Sequence, residues 1–230
     1  MSAEQGTAAW LQERRGFATA SRIKDVQAKI KSGEAASRAN YRAELVAQRL
    51  TGQVQESFTN AAMERGTELE PFARAAYEIR NSAIVEETGF IKHPRIEWSG
   101  ASPDGLVDSD GLLEIKCPNT STHIGYLLDG IVPSQYIPQM TWQIACTGRK
   151  WCDFASYDPR MPEDLRLFVV RFTPSAEQIA QTEQEVIAFL AEVDSVVKKL
   201  ETMMHEPMRA AASAACAGSC SIEVLERREE

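Results

Sequence analysis

Asp104, Glu114 and Lys116 fall together in the stretch GASPDGLVDSDGLLEIKCP, which runs from Gly100 to Pro118. The segment GLLEIKC reads as a strand, and successive side chains of a strand point to opposite faces. Glu114 and Lys116 therefore share one face, while Leu113, Ile115 and Cys117 share the other, expected to be the core face. Asp104 arrives at the same strand end through SPDGLVD. Two carboxylates converging there can hold a hard divalent cation through oxygen, which suits Mg²⁺ or Mn²⁺. The backbone carbonyl of Ile115 can add a further donor. A lysine held beside such an ion can position a water and balance charge on a phosphate in the transition state. An ordinary lysine titrates near about 10.4, so work as a base requires a perturbed site, and work as an electrostatic clamp does not.

A plainer reading competes. DSDG makes a tight hairpin turn, leaving Glu114 and Lys116 as a solvated same-face pair. Asp108, Asp110 and Gly111 also resemble part of a calcium loop, but Leu106 and Cys117 fall at its first and twelfth positions, so that loop fails at both ends.

The elements that must position these groups follow from periodicity and punctuation. TASRIKDVQAKIKSG is expected to be a helix capped at Thr19 or Ser21 and stopped at Gly33, with Ile23, Val26 and Ile30 on one stripe. SRANYRAELVAQRLTG repeats the pattern through Tyr41, Leu45 and Leu50 to Gly52. A third helix begins near Asn60 and carries Glu64, Glu68 and Glu70. Strands follow in AIVEETGFIKH, RIEWSGASPDGLVD and GLLEIKC, then helices in STHIGYLLDG and SQYIPQMTWQIACTG. Two more strands, KWCDFASYD and LRLFVVRFT, precede a long helix from about Ser175 to Glu201. This order predicts a mixed α/β (α+β) fold with a central, mostly antiparallel sheet flanked by helices. Residues 1–201 are expected to form one domain and 202–230 an accessory tail.

Composition narrows the function classes. The 230 residues are 43% hydrophobic and 25% charged, with net charge −8 and pI about 5.1. A protein that coats nucleic acid by charge alone is usually basic; an acidic chain remains compatible with a metal-dependent nuclease that has a locally basic channel. No apolar run approaches the roughly 18 residues of a membrane span, and the N-terminus lacks a signal-peptide core. Cys117, Cys146, Cys152, Cys216 and Cys220 are odd in number and show no framework spacing. A cytoplasmic protein with no membrane partner is expected.

Pro103-Asp104 followed by Glu114-Ile115-Lys116 also fits the PD-(D/E)xK signature of restriction-endonuclease-like nucleases. With RRGFATAS near the start, RGTELEPFAR in the third helix, LEIKCP and YDPRM, the chain resembles the lambda-exonuclease and YqaJ-like viral recombinase family from about Trp10 to Thr173. The resemblance implies that Asp104, Glu114 and Lys116 are catalytic, that Glu70 supplies a further acid (Glu68 competing), and that two Mg²⁺ ions bind. It also implies a pocket for a DNA 5′-phosphate made by Arg14, Ser21, Ser102 and Gln139, with Arg15 and Gln143 as competitors for two of those places and a helix N-cap as the plainer role for Ser21. YDPRM is expected to be a structural turn. The implied activity is processive 5′→3′ hydrolysis of duplex DNA to mononucleotides, leaving a 3′ overhang for a single-strand annealing partner. A homotrimeric ring and phage or prophage origin are implied as well. The alternatives are an endonuclease on the same core and a non-catalytic DNA-end adaptor.

Overall fold

The computed structural model describes residues 3–54 and 61–218. In chain order the elements are α1 (Ala8–Glu13), β1 (Ala18–Thr19), α2 (Ile23–Val26), α3 (Ala36–Thr51), α4 (Ala61–Asn81), β2 (Val85–Glu86), β3 (Ile91–Lys92), β4 (Ser99–Ala101), β5 (Gly105–Val107) and β6 (Gly111–Lys116). There follow α5 (Thr120–Asp129), α6 (Ile137–Thr147), β7 (Trp151–Tyr157), β8 (Leu167–Phe172) and α7 (Ala176–Gly218). Single 3₁₀ turns at Ala20–Arg22, Ser134–Tyr136 and Glu163–Leu165 join some of these.

Five strands form the main sheet in the order β2-β5-β6-β7-β8, in which only the β6–β7 pair is parallel. A smaller sheet has the order β1-β4-β3. β6 is thus an interior strand, covered on both faces. Leu113 and Ile115 pack with Ala73 and Tyr77 of α4, while Leu112 packs with Met140 and Ile144 of α6 and Tyr126 of α5. A second layer, built from α2, α3, α6 and α7, buries Ile23, Tyr41, Leu45, Trp142, Phe189 and Val193. This goes against the plainer reading of a solvated pair: the face of β6 that carries Glu114 is covered, and Glu114 is fully buried. A central strand has no face left for water, so its charge must be matched by neighbouring groups.

Two helix boundaries differ from the sequence reading. The segment after Thr19 is a 3₁₀ turn and one turn of helix ending at Val26. Ile23 and Val26 are buried but Ile30 is 56% exposed, so the stripe that suggested a longer helix has nothing to pack against at its far end. At the other end α7 continues past Glu201 to Gly218. Helix α1 was not anticipated; Thr7 caps it by accepting the Trp10 N–H. Asn60, the expected start of the third helix, and Cys220 lie outside the described residues. Among the described residues no helix is long and apolar enough to cross a membrane.

Gly100 shows how tightly the small sheet is built. A Cβ there would stand 2.6 Å from the Ile91 carbonyl oxygen and inside contact range of the Phe90 ring. The backbone oxygen cannot move aside without breaking the β3–β4 pairing, so Gly100→Ala is expected to destabilise by about 1–3 kcal/mol. A urea titration checks this, and an unchanged midpoint would mean that β4 shifts freely.

Candidate active site

The DSDG hairpin and the charged cluster are parts of one construction. β5 and β6 pair antiparallel with Gly105 opposite Leu113, so the turn that reverses the chain sets Asp104 beside the end of β6. There the Ile115 N–H donates to Asp104 Oδ2 at 2.7 Å. Glu114 receives an ion-paired hydrogen bond from Lys116 on Oε1. It also accepts from two amides of α6: Gln139 Nε2 reaches Oε1 and Gln143 Nε2 reaches Oε2, each at 2.6 Å. Gln139 and Gln143 are one helical turn apart, so they project from the same side of α6 and clamp one carboxylate. The two glutamines that compete in the sequence reading are therefore both engaged here.

Glu70, half-buried on α4 directly before Pro71, accepts a hydrogen bond from Arg74 Nη2 at 3.0 Å. Glu68 is exposed. Glu70, Asp104, Lys116, Arg65 and Tyr136 line one open cavity of about 530 Å³. Lys116 Nζ lies 5.4 Å from the centre of the Tyr136 ring, which stacks on Phe154.

The carboxylates of this cluster lie close enough to raise one another's pKa. Asp104 is pushed well above the usual carboxylate range, first by desolvation and then by the charges of Glu114 and Glu70. Glu70 is raised chiefly by desolvation, against the pull of Arg74 and Lys116. For Lys116 burial acts to lower the pKa, but Glu114 and Asp104 outweigh it and hold the amine above its ordinary value. These two carboxylates favour the charged amine, the form that an electrostatic clamp requires. Anionic oxygen donors that repel one another suit a hard divalent ion. The spacing does not yet close a shell: among the described residues no three His, Cys, Asp or Glu side chains are gathered tightly enough to hold a metal.

A second constellation lies along α1. The Arg14 guanidinium stacks over Trp10, 3.8 Å from the ring centre, and Trp10 Nε1 donates to Ser102 Oγ at 3.0 Å. Ser102 is two residues before Asp104, so this cluster adjoins the strands that carry Asp104, Glu114 and Lys116. Among the described residues Arg14 Nε is buried without a hydrogen-bond partner, and burial pushes the guanidinium down to about 10, still a cation at neutral pH. Arg15 is used otherwise: its Nη1 bonds Gln12 Oε1 at 3.0 Å and the Gly52 carbonyl at 2.8 Å. Ser21 is exposed in the 3₁₀ turn; the N-cap position of α2 is Arg22, so Ser21 does not cap that helix. Trp10 was missed by sequence reasoning, although Thr7 as a cap and the four-residue spacing of Trp10 and Arg14 would have placed the two side chains together.

The YDPRM segment also has a defined job. Asp158, fully buried, is gripped by Arg160 through Nε and Nη2 at 2.8 Å each and by the Thr120 hydroxyl at 2.6 Å. These donors hold its carboxyl well below the usual range, despite the opposing effect of burial.

Residues 9–150 match the YqaJ-like viral recombinase domain. The chain belongs to the YqaJ-like viral recombinase family. No curated protein matches it. Among solved structures, this YqaJ-like chain is 52% identical to LHK-Exo in complex with dAMP, with a TM-score of 0.82 over 87% of this chain and 99% of that one. It is 51% identical to the alkaline exonuclease LHK-Exo from Laribacter hongkongensis, with a TM-score of 0.80 and the same coverage. A phage-related exonuclease from Haemophilus somnus 129PT shares the fold at 15% identity, with a TM-score of 0.64 over 80% of this chain and 96% of that one. The restriction-endonuclease-like fold expected from the PD-(D/E)xK signature is the fold observed.

Proposed function

We propose that this YqaJ-like protein is a Mg²⁺-dependent 5′→3′ exonuclease acting on the ends of duplex DNA. The observation that carries the reading is the convergence of Asp104, Glu114 and Lys116 at one end of β6, beside an open cavity of about 530 Å³. Likeness to alkaline exonucleases over nearly the whole of their length supports it.

Asp104, Glu114, Glu70 and the Ile115 carbonyl are the groups that would hold Mg²⁺, or Mn²⁺ in its place, with two ions expected. When bound, the metal supplies Lewis acidity at the scissile phosphate and lowers the pKa of water. Gln139 and Gln143 fix the Glu114 carboxylate, and the Ile115 N–H fixes that of Asp104, so neither need reorganise during reaction. Lys116 places a positive charge where charge develops on the phosphate. Arg14, backed by Trp10 and Ser102, offers an unsatisfied N–H to a terminal phosphate, with Ser21 and Gln139 as further members of that pocket. Gripping the 5′-phosphate selects the end and hence the direction of digestion.

The test is nucleotide release from 5′-phosphorylated linear duplex, 5′-hydroxyl duplex and closed circular duplex, with Mg²⁺ or with EDTA. Release from the phosphorylated end first, none from the circle and none in EDTA is the expected pattern. Cutting of the circle would make the protein an endonuclease. Processive digestion would leave a 3′ overhang for a single-strand annealing protein, and is explained by a homotrimeric ring that encloses DNA. Light scattering without DNA should then give about three times the 25.5 kDa chain mass; a clean monomer at micromolar concentration would remove the ring as the source of processivity.

A further inference from the structure

The wall of the catalytic cavity opposite the sheet is the start of α4, and two adjacent residues there are unexplained by the catalytic cluster. The first is Arg65. Its Nη2 donates to the Pro118 carbonyl at 2.8 Å and stands 3.9 Å from Asp158 Oδ1. Asp158 is already paired with the Arg160 guanidinium and hydrogen-bonded by Thr120, so Arg65 is not needed there to balance a buried charge. Among the described residues the Pro118 carbonyl is its one hydrogen-bond acceptor, and its side chain remains 32% exposed toward the cavity. A guanidinium held by one edge presents its remaining donors as a fixed fork.

The second is Gly66. It lies inside a helix, where glycine is less favourable than alanine, and its φ is not in the left-handed region. A Cβ built on it would meet nothing within 4 Å. Neither backbone conformation nor packing of this chain requires a glycine at a position that lines the cavity. A missing side chain that the protein itself does not need is what close approach of a ligand backbone requires.

We propose that Arg65 grips a backbone phosphate of the strand being digested, within the catalytic cavity, and that Gly66 gives that strand room to lie against α4. This rests on the exonuclease reading above, and it adds a substrate-binding wall distinct from the Arg14 cluster and from the metal-binding carboxylates. A phosphate held equally in ground and transition states lowers KM without changing kcat.

The decisive comparison uses two variants. Arg65→Ala should raise KM for 5′-phosphorylated duplex about tenfold and leave kcat near that of the unaltered protein. Its DNA affinity, measured by fluorescence anisotropy with EDTA present, should show a salt slope smaller by about 0.7–0.9, the share of one phosphate contact. Gly66→Gln introduces a good helix former into open space, so its thermal midpoint should hold or rise while KM rises. An unchanged salt slope in Arg65→Ala overturns the phosphate contact, and unchanged KM in Gly66→Gln overturns the approach of the strand. If the unaltered protein releases no nucleotides but the Arg65→Ala salt slope still falls, the exonuclease reading fails while the phosphate contact stands.

Discussion

Asp104→Asn and Lys116→Gln are each expected to slow Mg²⁺-dependent nucleotide release by at least about 10²–10³-fold, the usual consequence of removing a preorganised charge from a transition-state site. The choice of replacement follows from the geometry. Asp104 Oδ2 accepts the Ile115 N–H, and an asparagine oxygen can keep that bond while losing the charge. Lys116 pairs with Glu114, which is fully buried. Truncating Lys116 to alanine would strip the buried carboxylate of its cation, and breaking such a pair costs about 3–5 kcal/mol when both partners are buried. Lys116 is 28% exposed, so the cost here falls below that range. Glutamine retains a donor toward Oε1 and separates loss of chemistry from loss of fold. Single-turnover rates at saturating Mg²⁺, with thermal midpoints alongside, make the measurement. Near-normal rates in either variant would reduce the cluster to an ion pair on a hairpin.

The chain announced this site because the chemistry is local. Asp104 and Glu114 are joined by a turn whose residues, Asp108-Ser109-Asp110-Gly111, favour chain reversal, and Asp108 does adopt a positive φ of 46°. What the sequence could not show is where β6 lies in the sheet. Charged residues at alternate positions usually mark a solvated face, and here they mark a buried one. The parallel neighbour β7 arrives from beyond two intervening helices, and its pairing with β6 is a long-range fact that periodicity does not encode. Once β6 is interior, Glu114 needs donors, and α6 supplies them through Gln139 and Gln143. Their four-residue spacing was visible in the sequence, but its meaning depended on a carboxylate being within reach. Ile30 failed for the opposite reason: its spacing was right for a helix, but its side chain stays mostly exposed.

The Arg14 cluster yields the sharpest prediction about substrate choice. Arg14 is a cation stacked on an indole, with a buried N–H that has no partner among the described residues. Leaving such a group unsatisfied is costly, and a terminal phosphate supplies both the acceptor and the opposite charge. A charge-assisted hydrogen bond is worth about 1.5–3 kcal/mol, so Arg14→Ala should lose roughly tenfold to a hundredfold in kcat/KM on 5′-phosphorylated duplex. On 5′-hydroxyl duplex the variant should stay close to the unaltered protein, because the contact it lacks is not made there. Trp10→Phe provides a graded companion: it keeps an aromatic face for stacking but removes the hydrogen bond to Ser102, and should lose only part of the preference. An arginine attracting DNA by charge alone would behave differently, with both substrates weakening together and both losses fading as salt rises. If Arg14→Ala slows the two ends equally, the end-reading role passes to another cation. Arg15 is poorly placed to take it, since Gln12 and the Gly52 carbonyl already hold its guanidinium.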